Sequence, residues 1–488
     1  MTFGRADLWI AAAFAAVTAL TRAPFVTAYL WEWDSVLYAR ALERGFHVSD
    51  VLAVSRPHPP GYVFYVASAS LARALDGFDA NGALVAVSVV ASAAAAAATY
   101  LLCARLAGRA VALLVTLGLV TSPLFWLQSA VASPYALLVV LSTTLALVFV
   151  TARGRGTSAI VVASVVFGLA AGFRQDLLLF LGPLWLWAVA PAPWRSRALA
   201  AAGLAVGCLA WFVPSALASG GAAAYIESTR RQFTSLSGST TMNEGSTMMN
   251  LVVVGQSVGW AMVVFGLVLL ALAIARVLAL VRGTRAYPIP RWHAVALALW
   301  TLPPLLFYVF VHVGQWGQLL SLVPSLFALT AVLLRGPFEA ATRAGRSAIA
   351  AALVAASLVS AALYVGGKDP VFSADSLEGH DRATGLRTAY IRGTYPTDGT
   401  LIVAGAELLV AGYYLPGYQT EFSDDRAGGS HEVRLARDTT VVFYEDRALP
   451  RSPDLIGAER PGNGLTVVRL PAGTVLALNG REVDPGPR

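Results

Sequence analysis

The sequence predicts an α-helical polytopic membrane protein with a small C-terminal α/β domain, and three observations point there. Apolar residues make up 57 % of the 488, charged residues only 13 %, and mean hydropathy is +0.65. A soluble domain carries about 25 % charge, so a soluble, disordered or fibrous chain is excluded. Apolar runs of roughly 20 residues, the length that crosses a bilayer, recur about eleven times up to residue 366. Beyond that point the pattern changes to short alternating runs separated by Gly, Pro and Asp.

Charge divides at the same place. Residues 1–366 carry 22 Lys/Arg against 11 Asp/Glu, and residues 367–488 carry 13 against 17. The basic excess therefore belongs to membrane loops, and nucleic acid is not an expected partner. Cys103 and Cys208 both lie in apolar runs, with no disulfide framework and no metal-ligand spacing.

The first span runs from Leu8 to about Val26. Later spans centre near residues 92, 117, 142, 165, 183, 208, 265, 303, 325 and 356. A cleaved signal peptide competes over residues 1–23, but its n-region has only Arg5, offset by Asp7. Arginine sets the orientation. With the N-terminus cytoplasmic, alternate loops hold Arg105 and Arg109, Arg153 and Arg155, Arg195 and Arg197, then Arg276, Arg282, Arg285 and Arg291, then Arg335, Arg343 and Arg346. An odd number of spans then puts the tail outside.

Two outer segments are too polar to span. Residues 27–78 hold Trp31-Glu32-Trp33-Asp34, an amphipathic stretch through Arg44, and His58-Pro59-Pro60-Gly61-Tyr62, followed by an interface helix over Val63–Leu75. Residues 219–250 read as a Gly/Ser/Thr/Met-rich loop with Arg230, Arg231 and Glu244. In the tail, residues 400–404, 440–444, 465–469 and 474–478 read as strands, accompanied by one or two helices. The domain boundaries are thus 1–366 for the membrane part and 367–488 for the water-soluble part.

Ionisable groups at membrane depth are costly and mark function. Asp34 follows the first span, with Glu32 two residues before it. Its carboxylate suits a general base, or alternatively caps a helix over Ser35–Arg44. His58 before two prolines is either a structural turn or a polar group of the same outer loop. Arg174-Gln175-Asp176 falls where two spans meet. There Arg174 holds a lipid-linked phosphate with Asp176 orienting it, or the two form a plain ion pair closing a helical hairpin. His312, Gln315 and Gln318 form a third polar cluster around Trp316, with interfacial anchoring as the alternative. The sequence contains no Walker-type loop, no His-Glu-x-x-His and no Gly-x-Ser-x-Gly elbow.

In this order the clusters resemble the GT-C superfamily of membrane glycosyltransferases that use polyprenyl-phosphate sugars, which includes protein O-mannosyltransferases and lipid A aminoarabinose transferases. Trp33-Asp34-Ser35 followed by Tyr38-Ala39-Arg40-Ala41 resembles the family's first outer loop with its catalytic Asp. His58-Pro59-Pro60-Gly61-Tyr62 is similar to its Pro-Pro interface helix. Ser122–Ser129 and Ser133-Pro134-Tyr135 look like its third and fourth spans, Gly172-Phe173-Arg174 like the segment before its sixth, and Gly317–Pro324 like its late Gly-Tyr-Leu-Leu-x-Leu-x-Pro pattern. The resemblance covers residues 8–366. It implies transfer of a sugar from a polyprenyl-phosphate donor to a lipid, glycan or protein hydroxyl on the extracytoplasmic face.

On that basis Asp34 is the catalytic base, and Arg174, His58, His312 and Gln315 bind the donor phosphate. Glu32, Tyr62, Asp176, Gln318, Arg230 and Arg231 contact substrate. The resemblance names no definite cofactor and leaves room for a divalent metal. Many relatives, however, carry a second acidic residue where this chain has Ser133-Pro134-Tyr135. A transporter or flippase for a polyprenyl-linked lipid is the alternative, although no paired halves are visible.

Overall fold

The first apolar run folds as α1 (Arg5–Arg22), and Pro24 tightens the next residues into a 3-10 turn. A computed structural model describes residues 3–48, 57, 59, 61–240, 247–283, 287–450 and 457–483. An extended segment then leads into the amphipathic α2 (Trp33–Arg44), followed by α3 (Val63–Asp76). Next comes α4 (Ala80–Ala107), whose 28 residues reach about 42 Å at 1.5 Å each. Asp79 caps it, accepting the Gly82 N–H at 2.7 Å. α4 is the central post of the bundle, packed on α1 and α3 and on the helices that follow.

α5 (Arg109–Val120) and α6 (Pro123–Ala130) are one apolar run bent by 59°. Pro123 supplies no N–H to α5, and Ser122 Oγ instead accepts the Phe125 N–H at 3.3 Å and restarts the helix. α7 (Tyr135–Ala152), α8 (Thr157–Ala170), α9 (Asp176–Val189) and α10 (Trp194–Ala218) continue the bundle. α8 and α10 meet backbone to backbone. A Cβ on Gly168 would sit 2.4 Å from the Leu204 carbonyl oxygen, so only glycine permits this approach.

After α11 (Ala222–Thr240) come α12 (Thr247–Met262), α13 (Val264–Val281) and α14 (Arg291–Phe310). A 3-10 turn over Trp316–Ser321 separates α14 from α15 (Val323–Ala340), and α16 (Arg343–Val365) closes the apolar part.

Each of the eleven expected spans coincides with helix. Among the described residues, seven helices are long and apolar enough to cross a membrane, or eight with the bent pair as one span. That lower count has a plain cause. α8 and α9 have 14 residues each, and α15 carries Arg335 and Glu339 near its end. The expected loop at 219–250 needs correction, because α11 and the start of α12 occupy much of it. Three alanines open α11, and Glu227 accepts from Arg230 Nε at 2.8 Å and Arg231 Nε at 3.0 Å across one turn.

In the tail, α17 (Ala374–Thr394) leads to β1 (Thr400–Ala404), α18 (Leu408–Tyr414), β2 (Gln419–Phe422), β3 (Ser430–Arg434), β4 (Thr439–Phe443), β5 (Glu459–Gly462), β6 (Leu465–Leu470) and β7 (Val475–Asn479). One sheet has the order β2-β1-β4-β6-β5, with β1 parallel to β2 and β4; β3 and β7 form an antiparallel pair. Period-two alternation explains both faces. Ile402 and Val442 face Ile391 of α17 and Leu408 of α18, while Leu401, Val403, Val441 and Phe443 pack on Leu476 and Leu478 of β7. Leu409 and Val410 of α18 share a core with Val36 and Leu37 of α2. The tail thus rests directly on the first interface helix.

Candidate active site

Ionisable and aromatic groups converge at the end of the bundle that carries α2, α3 and the tail. α2 begins at Trp33, and its N-cap is Glu32, whose N–H donates to Ser35 Oγ at 3.0 Å. The expected cap role of Asp34 on a helix starting at Ser35 is therefore incorrect. Asp34 lies inside the first turn, where the helix dipole favours its charge. Burial, and then the neighbouring Asp34, pushes the Glu32 carboxyl up to about 8.

One turn beyond Asp34, Tyr38 is fully buried, with the Tyr62 and Tyr65 rings edge-on at 5.5 and 5.1 Å. Tyr62 enters this cluster from a left-handed backbone, φ 51°, directly after Gly61 at φ 90°. A non-glycine residue held there costs about 1–3 kcal/mol, which the packed aromatic cluster must offset. Burial raises the Tyr62 hydroxyl to about 12 and pushes Tyr38 upward; the Asp34 charge adds to both.

Arg174 sits in the turn between α8 and α9. That turn abuts the start of α3, since Phe64 N–H donates to the Gly172 carbonyl at 3.1 Å. Arg174 is 8 % exposed, and its Nε donates to Asp176 Oδ2 at 2.6 Å. Its Cζ lies 5.8 Å from the Tyr62 ring and 5.3 Å from the Tyr135 ring. Arg174 Nη1 and Asp176 Oδ1 are buried without a hydrogen-bond partner among the described residues. Leaving such atoms unsatisfied costs about 1–3 kcal/mol each.

Tyr135, at the start of α7, donates its hydroxyl to Gln315 Oε1 at 2.5 Å. Gly317 makes that contact possible, because a Cβ there would fall 2.3 Å from the Tyr135 ring. Tyr135 also stands within electrostatic reach of Glu32, Asp34 and Arg174. Tyr62 and Tyr135 therefore bridge the acidic and basic halves of the cluster.

The structure brings Glu32, Asp34, Tyr62, Arg174, Asp176 and Gln315 into one neighbourhood. His312 adjoins it, since burial first and Arg174 second lower its pKa. Gln318 has a local task, its Oε1 accepting the Gly314 N–H at 2.9 Å to close the turn. Arg230 and Arg231 lie on an exposed face of α11, both engaged by Glu227. His58 falls outside the described residues. As a metal site the cluster offers Glu32 and Asp34, but among the described residues no group of three or more His, Cys, Asp or Glu is placed to hold an ion.

Tyr38, Tyr65 and Tyr135 were not anticipated as site residues, and neither was Arg22. Arg22 is fully buried, donates from Nη2 to the Val120 carbonyl at 2.6 Å, and stacks 4.3 Å from the Trp126 ring. Its signal was available in the sequence, as an ionisable group in the last turn of a span. Its contacts pin α1 to the α5–α6 bend.

No family model and no curated protein matches the chain. Solved structures do match. The ArnT of Cupriavidus metallidurans bound to undecaprenyl phosphate aligns with a TM-score of 0.59, over 94 % of this chain and 97 % of its own, at 12 % identity. The apo form of that protein aligns at 0.57, over 96 % and 98 %, also at 12 % identity. This chain has the fold of that ArnT. The Archaeoglobus fulgidus oligosaccharyltransferase complexed with zinc and sulfate matches at 0.48, over 83 % of this chain and 62 % of its own, at 14 % identity. Its apolar helices and this fold make the protein an integral membrane protein, and the helical bundle carries the polar cluster at the end covered by the tail.

Proposed function

We propose that the chain transfers a sugar from a polyprenyl-phosphate-linked donor to an acceptor hydroxyl on the extracytoplasmic face. The observation that carries this reading is Arg174. It is a buried guanidinium framed by two tyrosines, with one nitrogen unpartnered among the described residues, in the same cluster as Asp34. A buried cation with a spare donor suits a phosphate oxygen, and its fork geometry favours two-point contact. The GT-C neighbour bound to undecaprenyl phosphate supports a lipid-phosphate donor for this chain as well.

Chemically, Asp34 takes the proton from the acceptor hydroxyl. The acceptor oxygen then bonds to the anomeric carbon as the bond from that carbon to the phosphate oxygen breaks. The electron pair leaves with the polyprenyl phosphate, whose charge Arg174 stabilises, with His312 and Gln315 assisting. Asp176 orients Arg174, and Glu32, Tyr62 and Tyr135 line the space between the charges. One displacement inverts the anomeric centre; a retaining route needs a second carboxylate about 5 Å away.

Arginine distribution supports a cytoplasmic N-terminus and an extracytoplasmic tail, with the soluble domain starting near residue 367. The test is to incubate purified protein with short-chain polyprenyl-phosphate mannose and arabinose donors and a hydroxyl acceptor. Release of polyprenyl phosphate coupled to sugar transfer supports the proposal. Tight donor binding without release would favour a transporter.

A further inference from the structure

The segment 26–32, between the end of α1 and α2, has no regular secondary structure, yet it delivers Asp34 to the cluster. Its start is tied to the bundle. Thr27 N–H donates to the Ala130 carbonyl at 3.0 Å, and its carbonyl accepts from Asn81 Nδ2 at 2.7 Å. From Ala28 to Leu30 the partners come from the tail. Asp381 of α17 accepts the Ala28 N–H at 2.7 Å and the Tyr29 N–H at 3.2 Å, one on each carboxylate oxygen. Tyr414 Oη accepts the Leu30 N–H at 2.9 Å, and His380 Nε2 lies 3.0 Å from the Leu30 carbonyl. Trp33 Nε1 donates to the Ala406 carbonyl at 2.5 Å.

The tail groups are themselves held. Glu445 Oε1 accepts the N–H of Gly405 at 3.0 Å and of Glu407 at 2.9 Å, fixing the turn that offers the Ala406 carbonyl. The Tyr29 and Tyr414 rings meet edge-on at 4.9 Å, and Trp31 meets His380 at 4.8 Å. At the far end of α2, Tyr413 Oη donates to Glu43 Oε1 at 2.6 Å. The tail thus grips both ends of the helix that carries Asp34.

We infer that the C-terminal domain is a positioning clamp for the Asp34 segment, with Asp381 as its principal positioning residue. Ordinary domain packing would bury side chains. Here the tail satisfies consecutive backbone groups of an irregular segment, which fixes its path residue by residue. Positioning matters because a misplacement of about 1 Å at a reacting group costs about 100-fold in rate. This inference rests on the proposed role of Asp34, but its structural half can be judged separately.

The experiment uses the full-length protein in detergent, comparing wild type, Asp381→Ala and Tyr414→Phe. Amide hydrogen exchange over residues 27–34 and the kinetics of sugar transfer are measured on each. The clamp predicts that Asp381→Ala accelerates exchange at residues 28–30 at least about tenfold and lowers kcat about 10- to 100-fold, while donor KM stays within about twofold. Tyr414→Phe keeps the ring contacts and removes one acceptor, so it gives the same pattern in weaker form should Asp381→Ala misfold. Unchanged exchange in folded variants overturns the clamp, and so does a loss confined to KM. A wild type inactive with every lipid-phosphate sugar would defeat the functional proposal instead, and the exchange data alone would then decide the clamp.

Discussion

Arg174 gives Asp176 only its Nε, at 2.6 Å, while its Nη1 stays buried and unpartnered among the described residues. A bidentate pair would engage a second guanidinium nitrogen. This one-point pair holds the arginine in orientation and keeps donor capacity in reserve, at a cost of about 1–3 kcal/mol for the unsatisfied atom.

That geometry sets the first prediction. Arg174→Lys keeps the charge and loses the fork, so donor KM should rise about 10-fold or more with the fold intact. Donor titrations of wild type and variant measure it. An unchanged KM would remove Arg174 from the phosphate site.

A second prediction concerns Gly317. A Cβ there meets the Tyr135 ring at 2.3 Å, so Gly317→Ala must displace Tyr135 and break its bond to Gln315. The expected loss is about 1–3 kcal/mol. Tyr135→Phe, which loses only the hydroxyl, should cost about 1 kcal/mol. Thermal unfolding of both in detergent separates overpacking from the lost hydrogen bond, and equal stabilities would contradict the assignment.

Glu32 yields a pH prediction. Its folded-state pKa is raised from 4.5 to about 8, by burial first and by Asp34 second. Between those values the folded protein holds a proton that the unfolded chain has released. This contribution to stability is fully present below the ordinary carboxyl value and is lost as pH rises through about 8. Unfolding temperature should fall across that window in wild type and change less in Glu32→Gln. Parallel curves for the two proteins would show that Glu32 does not titrate there.

Close packing gives a fourth. Gly168→Ala places a methyl 2.4 Å from the Leu204 carbonyl oxygen, an atom of rigid helical backbone. α8 and α10 must separate, at a cost of about 1–3 kcal/mol. Ala substitution at Gly182, where nothing lies within 4 Å of the added atom, is the control. A Gly168 variant as stable as that control would sink the packing argument.

Much of the fold was legible because hydropathy alone dictates it. The 28 residues of α4 are mostly apolar, and the bend at Ser122-Pro123 is written in the proline. The four runs expected as strands in the tail are β1, β4, β6 and β7, while β2, β3 and β5 were not expected. α11 was illegible, since its Gly/Ser/Thr content resembles loop and its helix draws on local Glu227–Arg pairs. In the cluster, Asp34 and Arg174 stood out as charges beside spans. Tyr38, Tyr65 and Tyr135 did not, because a tyrosine near a bilayer interface is ordinary until folding gathers several together. The grip of Asp381 on Ala28 joins positions 353 residues apart, and no local pattern announces it.

The central claim is that Asp34 removes the acceptor proton. Purified wild type and Asp34→Asn, matched in thermal unfolding and in binding of polyprenyl phosphate, are compared for sugar transfer from a polyprenyl-phosphate donor. The account predicts release of polyprenyl phosphate by wild type and a loss of at least about 100-fold in the variant, with lipid binding preserved. A folded Asp34→Asn protein that turns over like wild type would contradict it.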